Sequence, residues 1–347
     1  MTAHTKKVNA VAISPDGNTL VSGSDDYSFI LWNTSTLRPI GIPHQDLGYF
    51  VNAVAFSPNG KMIAVGGDLQ GIILWDVAAN QVTKLPVTGT TDDYIRSLAF
   101  SPDGKILASG NLADSVILWD VATRSPIGEP LEAPKPNNVP GQPAITSLAF
   151  SPDGKILASS SQDEAIYIWD MSTSKLITQL KGHTGPVYDV AFSPDGKILA
   201  SASFDRSIIL WNTETFQPTG QQLRGHIGAV QAVTFNPTGD ILASGGADQK
   251  IILWDVESGT PIGQPLNVLH GAINSLVFSV DGKALFAASR VITRWNLDPE
   301  SWVKTSCQRA GRNFTRSEWA QYFPNEEYRA TCQEWPLEPE ITTAVIP

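Results

Sequence analysis

Short apolar runs recur along the chain at a steady interval, and polar turn residues close each one. Between Val187 and Asn212 the order is VYDVAF, SPDG, KILASA, SFDR and SIILWN. Runs of this length between turn signals predict β-strands. In S-P-D-G, Pro presets φ at the first corner and Gly supplies a positive φ at the end, so the tetrapeptide closes a hairpin. A fourth, weaker strand is predicted over Ser174–Leu180. The string SPDGKILAS recurs unchanged at Ser101–Ser109, Ser151–Ser159 and Ser193–Ser201.

Alignment on tryptophan gives the period. Trp32, Trp75, Trp119, Trp169, Trp211, Trp254 and Trp295 are 43, 44, 50, 42, 43 and 41 residues apart. Each ends an apolar run, and each follows a turn at Ser14, Ser57, Ser101, Ser151, Ser193, Asn236 or Ser279. Seven units of four antiparallel strands predict a propeller, because a single such unit cannot bury both faces and neighbours in a ring can.

The segment GHTGPVYDVAFSPDGKILASASFDRSIILWN (Gly182–Asn212) resembles a WD repeat, and all seven units match that family to some degree. The resemblance implies an all-β, seven-bladed β-propeller of four-stranded antiparallel blades over residues 1–298. It also implies an internal hydrogen-bonded tetrad of His, Ser, Asp and Trp. Three blades carry it whole: His4, Ser22, Asp26 and Trp32; His183, Ser201, Asp205 and Trp211; His226, Ser244, Asp248 and Trp254. The fourth keeps Ser159, Asp163 and Trp169 without the His. The second and third lack the His and place Asp68 and Asp114 one position out of register. The seventh has His270 one residue off and no Asp.

A His–Ser–Asp set invites a hydrolase reading, but three equally spaced copies around a ring point to a structural role, and the Ser lacks a G-x-S-x-G context. The sequence has no G-x-x-x-x-G-K-[ST] phosphate loop, no H-E-x-x-H and no close His/Cys cluster. DGNTLVSGSDD has a passing EF-hand look but lacks the twelfth-position Glu. No catalytic residue, metal or cofactor is therefore expected. The balance of 24 basic against 34 acidic residues, net −10, disfavours nucleic-acid and anionic-membrane partners. No run of 18 apolar residues and no signal-peptide core is present, so a cytoplasmic monomer is expected.

In a propeller the S-P-D-G turns lie on one face and the Asp turns on the other. In the WD-repeat family partners often dock on the second face, so a protein or peptide partner is expected there. Positions pointing to it are the residue after the first apolar position of each inner strand: Asn9, Asn52, Arg96, Thr146, Tyr188, Gln231 and Asn274. Two residues earlier come Lys7, Phe50, Tyr94, Ala144, Pro186, Ala229 and Ala272. Before the tetrad Asp come Asp25, Asp68, Leu112, Gln162, Phe204 and Ala247. These positions differ between blades where the frame repeats. Phe50, Tyr94, Arg96, Tyr188, Phe204, Asp25 and Gln231 form the candidate partner-binding set, aromatic residues and Arg being common binding hot spots. Asp92 and Asp93 give the rim an acidic sector suited to a basic segment. The proline-rich link Leu131–Ala144 is expected to project from the same face.

After Trp295 the pattern changes. Asp298-Pro299-Glu300 reads as a helix start, and Thr315 with Glu318 as a capping box. Two short helices over residues 299–347 are expected to pack on the propeller through Trp302, Phe314, Trp319 and Tyr322. Cys307 and Cys332 both lie in this tail, and a cytoplasmic setting argues for unpaired thiols, a disulfide being the alternative. SCQRAGRNFTRSEWAQYFPNEEYRATC resembles the segment that ends many bacterial WD-repeat proteins of the STAND type, in which a NACHT-like ATPase module precedes a sensor propeller. The resemblance implies a non-catalytic sensor belonging to a larger signalling or defence ATPase. A free-standing scaffold that assembles a protein complex is the alternative. The start at Met1, directly before an inner strand, suggests a piece of a longer protein. The outer edge of the seventh blade has three candidate covers: residues 1–6, part of 299–306, or the helical tail.

Overall fold

A computed structural model describes the chain except for residues 2, 45–46, 69–70, 87–93, 135–143, 221, 299, 302–306, 309–311, 323–326 and 333–347. The seven units form seven antiparallel sheets. Each inner strand packs on the next, from Val8–Ile13 against Val51–Phe56 round to Ser275–Phe278, which returns against Val8–Ile13. The result is the closed seven-bladed propeller.

Blade 5 shows the plan. Val187–Phe192, Ile198–Ser203, Ser207–Asn212 and Leu223–Arg224 pair in that order. Its S-P-D-G turn is self-contained. Gly196 N donates to Ser193 O at 2.9 Å, and Gly196 has φ 74°. Asp195 Oδ1 accepts from Ser193 Oγ at 2.6 Å and from Lys197 N at 3.1 Å. The repeated string is thus a turn plus the second strand, and it does not reach the opposite face.

The fourth strand varies most. In blade 3 it is two pieces, Ser125–Pro126 and Leu131–Glu132, both paired with Ser115–Asp120. In blade 1 it is reduced to bridges from Phe29 to His44 and Trp32 to Pro39. In blade 7, Met1 takes that place: its amine donates to Ile292 O at 3.0 Å and its carbonyl accepts from Ile292 N at 3.4 Å. Of the three candidate covers, the N-terminal residues supply this contact, which pairs backbone groups on an otherwise open edge.

Apolar surface is buried between blades rather than within them. One cluster joins Ile166 and Ile168 of blade 4 to Val187, Val190 and Trp211 of blade 5. The fit depends on small residues in the second strands. A Cβ on Gly110 would sit 2.4 Å from Ile145 Cγ2 of the next blade, and one on Gly245 the same distance from Ile273 Cγ2. Ser160 and Ala202 hold the corresponding positions in blades 4 and 5, paired with Ser147 and Asp189 of their own inner strands.

Met1–Trp295 forms one compact unit and Asn296–Pro347 a second. Among the described residues of the second unit, Glu300–Ser301 and Cys307–Gln308 are helical, and a complete helix spans Arg316–Tyr322. Its capping box is formed: Glu318 N donates to Thr315 Oγ1 at 3.2 Å and Thr315 N to Glu318 Oε2 at 2.8 Å. Trp319, buried at 3% exposure, packs edge-on against Phe314 and Tyr328. Trp302 and the Tyr322 side chain lie outside the described residues. Cys307 and Cys332 are joined in a disulfide, against the unpaired thiols expected from compartment alone. The bond is held beside buried Asn313, which accepts from Cys332 N at 2.8 Å and donates to Cys332 O at 3.1 Å. Compartment says nothing of this geometry, which brings two distant cysteines together.

Candidate functional site

The three complete tetrads form as expected. In blade 1, His4 Nδ1 lies 2.9 Å from Asp26 Oδ2 and His4 Nε2 lies 2.7 Å from Ser22 Oγ, which also accepts from Trp32 Nε1 at 2.8 Å. Blade 5 repeats this with His183, Asp205, Ser201 and Trp211, and blade 6 with His226, Asp248, Ser244 and Trp254. A neutral ring that donates from Nδ1 to the carboxylate accepts the Ser proton at Nε2. Burial holds His4 and His226 below their ordinary pKa, against the pull of Asp26 and Asp248. Burial would raise Asp26, but hydrogen bonds from Ser28, Thr5 N and His4 outweigh it and hold the carboxyl low. Ser22, Ser201 and Ser244 are fully buried, so no substrate carbonyl can reach a tetrad hydroxyl.

The incomplete blades have substitutes. In blade 4, Tyr167 OH donates to Asp163 Oδ2 and fills the role of the missing His. Tyr167 stands two residues before Trp169, where five other units have Ile, and this was the available sequence signal. Asp68 accepts from Asn52 Nδ2 at 2.7 Å, as Asp25 does from Asn9 Nδ2 at 2.7 Å, so Asp68 is the counterpart of Asp25 rather than a displaced tetrad Asp. Asp114 reaches across to the next blade, accepting from Ser161 Oγ at 3.1 Å.

On the face of the Asp turns, the centre of the ring opens into a cavity of about 270 Å³. One residue from each blade lines it: Asn9, Asn52, Arg96, Thr146, Tyr188, Gln231 and Asn274, with Lys7, Ala144 and Gln162 beside them. The cause is a shared irregularity. In six blades the inner strand breaks register at this residue, as between Val187 and Asp189, so the mouth residue is the extra one of a β-bulge. A bulge re-aims its side chain away from the pleat.

Four of the seven are engaged in closing the ring. Asn274 Nδ2 donates to Val8 O at 2.9 Å, Asn9 Nδ2 to Val51 O at 3.0 Å and Asn52 Nδ2 to Ile95 O at 3.3 Å, and Thr146 Oγ1 donates to Val187 O. Each clasps the first residue of the next inner strand. Arg96, Tyr188 and Gln231 make no such bond. Below them a second set of links includes Asp189, whose carboxylate accepts from Ser147 Oγ at 2.7 Å and Val233 N at 2.9 Å. Asp189 is half-buried as a residue while protein encloses its carboxyl, and that burial pushes its pKa up to about 6.

The rest of the candidate set flanks the mouth. Phe204, 57% exposed, meets Tyr188 edge-on at 6.4 Å. Phe50 stacks on Tyr27 at 5.3 Å with Lys6 Nζ 5.0 Å from the Tyr27 ring centre, a cluster for which only Phe50 was expected. Tyr94, two residues before Arg96, is half-buried. Asp92, Asp93 and most of the Leu131–Ala144 link lie outside the described residues. Among those described, no group of three His, Cys, Asp or Glu residues is placed to hold a metal, and no helix is long and apolar enough to cross a membrane.

Residues 1–33, 39–76 and 81–120 match the WD domain, G-beta repeat family, and residues 144–310 match the family described as IFT122 first beta-propeller. Taken with the geometry, these matches make the protein a seven-bladed propeller built from WD40 repeats. The sequence matches no curated protein at a significant level. WD40 propellers are generally interaction domains that bind protein partners, and this chain fits that role.

Proposed function

We propose that this chain is a non-catalytic interaction and sensing propeller whose partner docks on the Asp-turn face, over the mouth bounded by Arg96, Tyr188, Phe204 and Gln231. The observation that carries it is the division of labour among the seven mouth residues: four are spent on closing the ring and three are left facing the opening. Such a division keeps the frame constant while the mouth changes chemistry. The test is capture of partners with the full chain as bait, followed by hydrogen exchange on the complex. Protection at the turns holding Gln162 and Phe204, with none at the S-P-D-G turns, supports the proposal. The reverse pattern refutes it.

The resemblance of the Cys307–Cys332 segment to the tails of STAND-type proteins supports a finer reading, that the propeller is the sensor part of a bacterial signalling or defence ATPase acting as a monomer in the cytoplasm. A free-standing scaffold is favoured instead if no nucleotide-binding module is encoded in the same reading frame. Neither version involves nucleic acid or membrane, in keeping with the net charge of −10. The disulfide makes the compartment testable: thiol trapping in intact cells that finds Cys307 and Cys332 reduced supports the cytoplasmic reading, and an oxidised pair places the protein outside a reducing cytoplasm.

A further inference from the structure

The described lining of the mouth has a charge opposite to that of the whole chain. It holds two cations, Lys7 and Arg96, and no carboxylate, in a protein of net charge −10. Neither cation has an ion-pair partner among the described residues. The fold has a position from which an acid can reach a bulge residue, the one before the tetrad Asp. Blades 1 and 2 use it, where Asp25 and Asp68 accept from the bulge Asn. Blade 3 places Leu112 there, beside the one bulge residue that is a cation. Among the described residues the arginine charge is therefore uncompensated, and Arg96 is exposed.

A second observation comes from the other side of the opening. Gln231 Oε1 is buried and accepts no hydrogen bond. A buried acceptor without a donor is destabilising, and a bound N–H would relieve it. The cavity of about 270 Å³ is slightly below the range of drug-sized sites and suits one or two amino-acid side chains. Exposed Phe204 against Tyr188 supplies an apolar shelf at the rim.

We propose that the mouth receives the carboxylate of an Asp or Glu side chain from an extended segment of a partner protein. Arg96 and Lys7 contact the carboxylate, Gln231 Oε1 accepts a neighbouring backbone N–H, and an adjacent apolar residue covers Tyr188 and Phe204. This rests on the docking face proposed above. It differs from the basic partner segment expected from Asp92 and Asp93, because the described mouth carries the other sign.

The experiment is selection of a random dodecapeptide phage library on the full chain, then anisotropy with the fluorescein-labelled winning peptide. The expected pool is enriched in Asp or Glu next to an apolar residue. Arg96→Glu should weaken binding at least tenfold and Lys7→Glu at least threefold, with melting temperatures unchanged. Lys155→Glu, on the S-P-D-G face, should leave binding as it is. Peptides without acidic residues that are lost on Tyr188→Ala overturn the anionic anchor and leave the docking face standing. Acidic peptides unaffected by Arg96→Glu, Lys7→Glu and Tyr188→Ala overturn both, as does a selection yielding no peptide. Equal binding of inorganic phosphate or a DNA oligonucleotide in competition overturns the carboxylate assignment.

Discussion

Removing the Asp205 carboxylate separates the frame from the site. Four donors converge on it: His183 Nδ1 at 2.9 Å, Thr184 N at 3.0 Å, Ser207 N at 2.9 Å and Ser207 Oγ at 2.6 Å. In Asp205→Ala the exposed Thr184 N–H finds water and the Ser207 hydroxyl turns elsewhere. The His183 side chain, 1% exposed, cannot do either. One buried orphan donor and the partial loss of the others amount to about 2–3 kcal/mol. For a unit of this size that is a fall of roughly 3–5 °C in melting temperature. Blade 4 gives an internal check, since its carboxylate serves Tyr167 rather than a His. Asp163→Ala should destabilise, and adding Tyr167→Phe should recover part of the loss, because the orphaned buried hydroxyl is then removed and the half-buried Gln179 Nε2, which donates to it at 3.3 Å, is its one remaining partner. Scanning calorimetry with partner-binding measurements reads both effects. Lost binding with an unchanged melting temperature in Asp205→Ala would refute the structural assignment of the tetrads.

Gly110→Val should cost at least about 3 kcal/mol or prevent folding, since even a Cβ meets Ile145 Cγ2 at 2.4 Å; soluble expression and urea titration check it. Stability should fall as pH drops below about 6.5, the unfolded value of His, because His4 and His226 are held neutral by burial when folded. Asp26 and Asp248, depressed in the fold, add a further loss at lower pH. Asp189 works the other way: raised to about 6, it favours the folded state at low pH and loses that contribution as pH rises through 6. Asp189→Asn should therefore steepen the acid loss between pH 7 and 4 in thermal melts, and a shallower profile would contradict the assignment. Cys307→Ala with Cys332→Ala should loosen the C-terminal unit by about 3 kcal/mol, as expected for a closed loop of 25 residues, and leave the melting of residues 1–295 in place.

The frame was legible because it repeats. Trp spacing, S-P-D-G turns and the tetrad residues all report one packing problem, solved blade after blade. The mouth positions were also legible, since a bulge at the residue after the first apolar one places Asn9 or Tyr188 in the same way. What those residues do was not. Asn9, Asn52, Thr146 and Asn274 looked like members of one variable rim, and only their bonds to the next blade show them to be clasps. Tyr167 replaces His from a different strand, so no search at the His position could find it. The Tyr27–Phe50–Lys6 cluster joins two blades, and pairing across blades is invisible in a single repeat. Cys307 and Cys332 were judged by compartment, whereas their pairing is decided by local geometry around Asn313.

If the tetrads hold the frame and the mouth binds, substitutions at the two places separate stability from affinity. The most direct test is the affinity of a captured partner for the wild-type chain and for Tyr188→Ala with Phe204→Ala, measured by calorimetry beside the melting temperature. Tyr188 and Phe204 touch each other at the rim and carry no blade-to-blade hydrogen bond. The double variant should lose at least tenfold in affinity, about 1.4 kcal/mol, with melting changed by no more than about 2 °C. Undiminished affinity, or a large loss of stability, would contradict that separation.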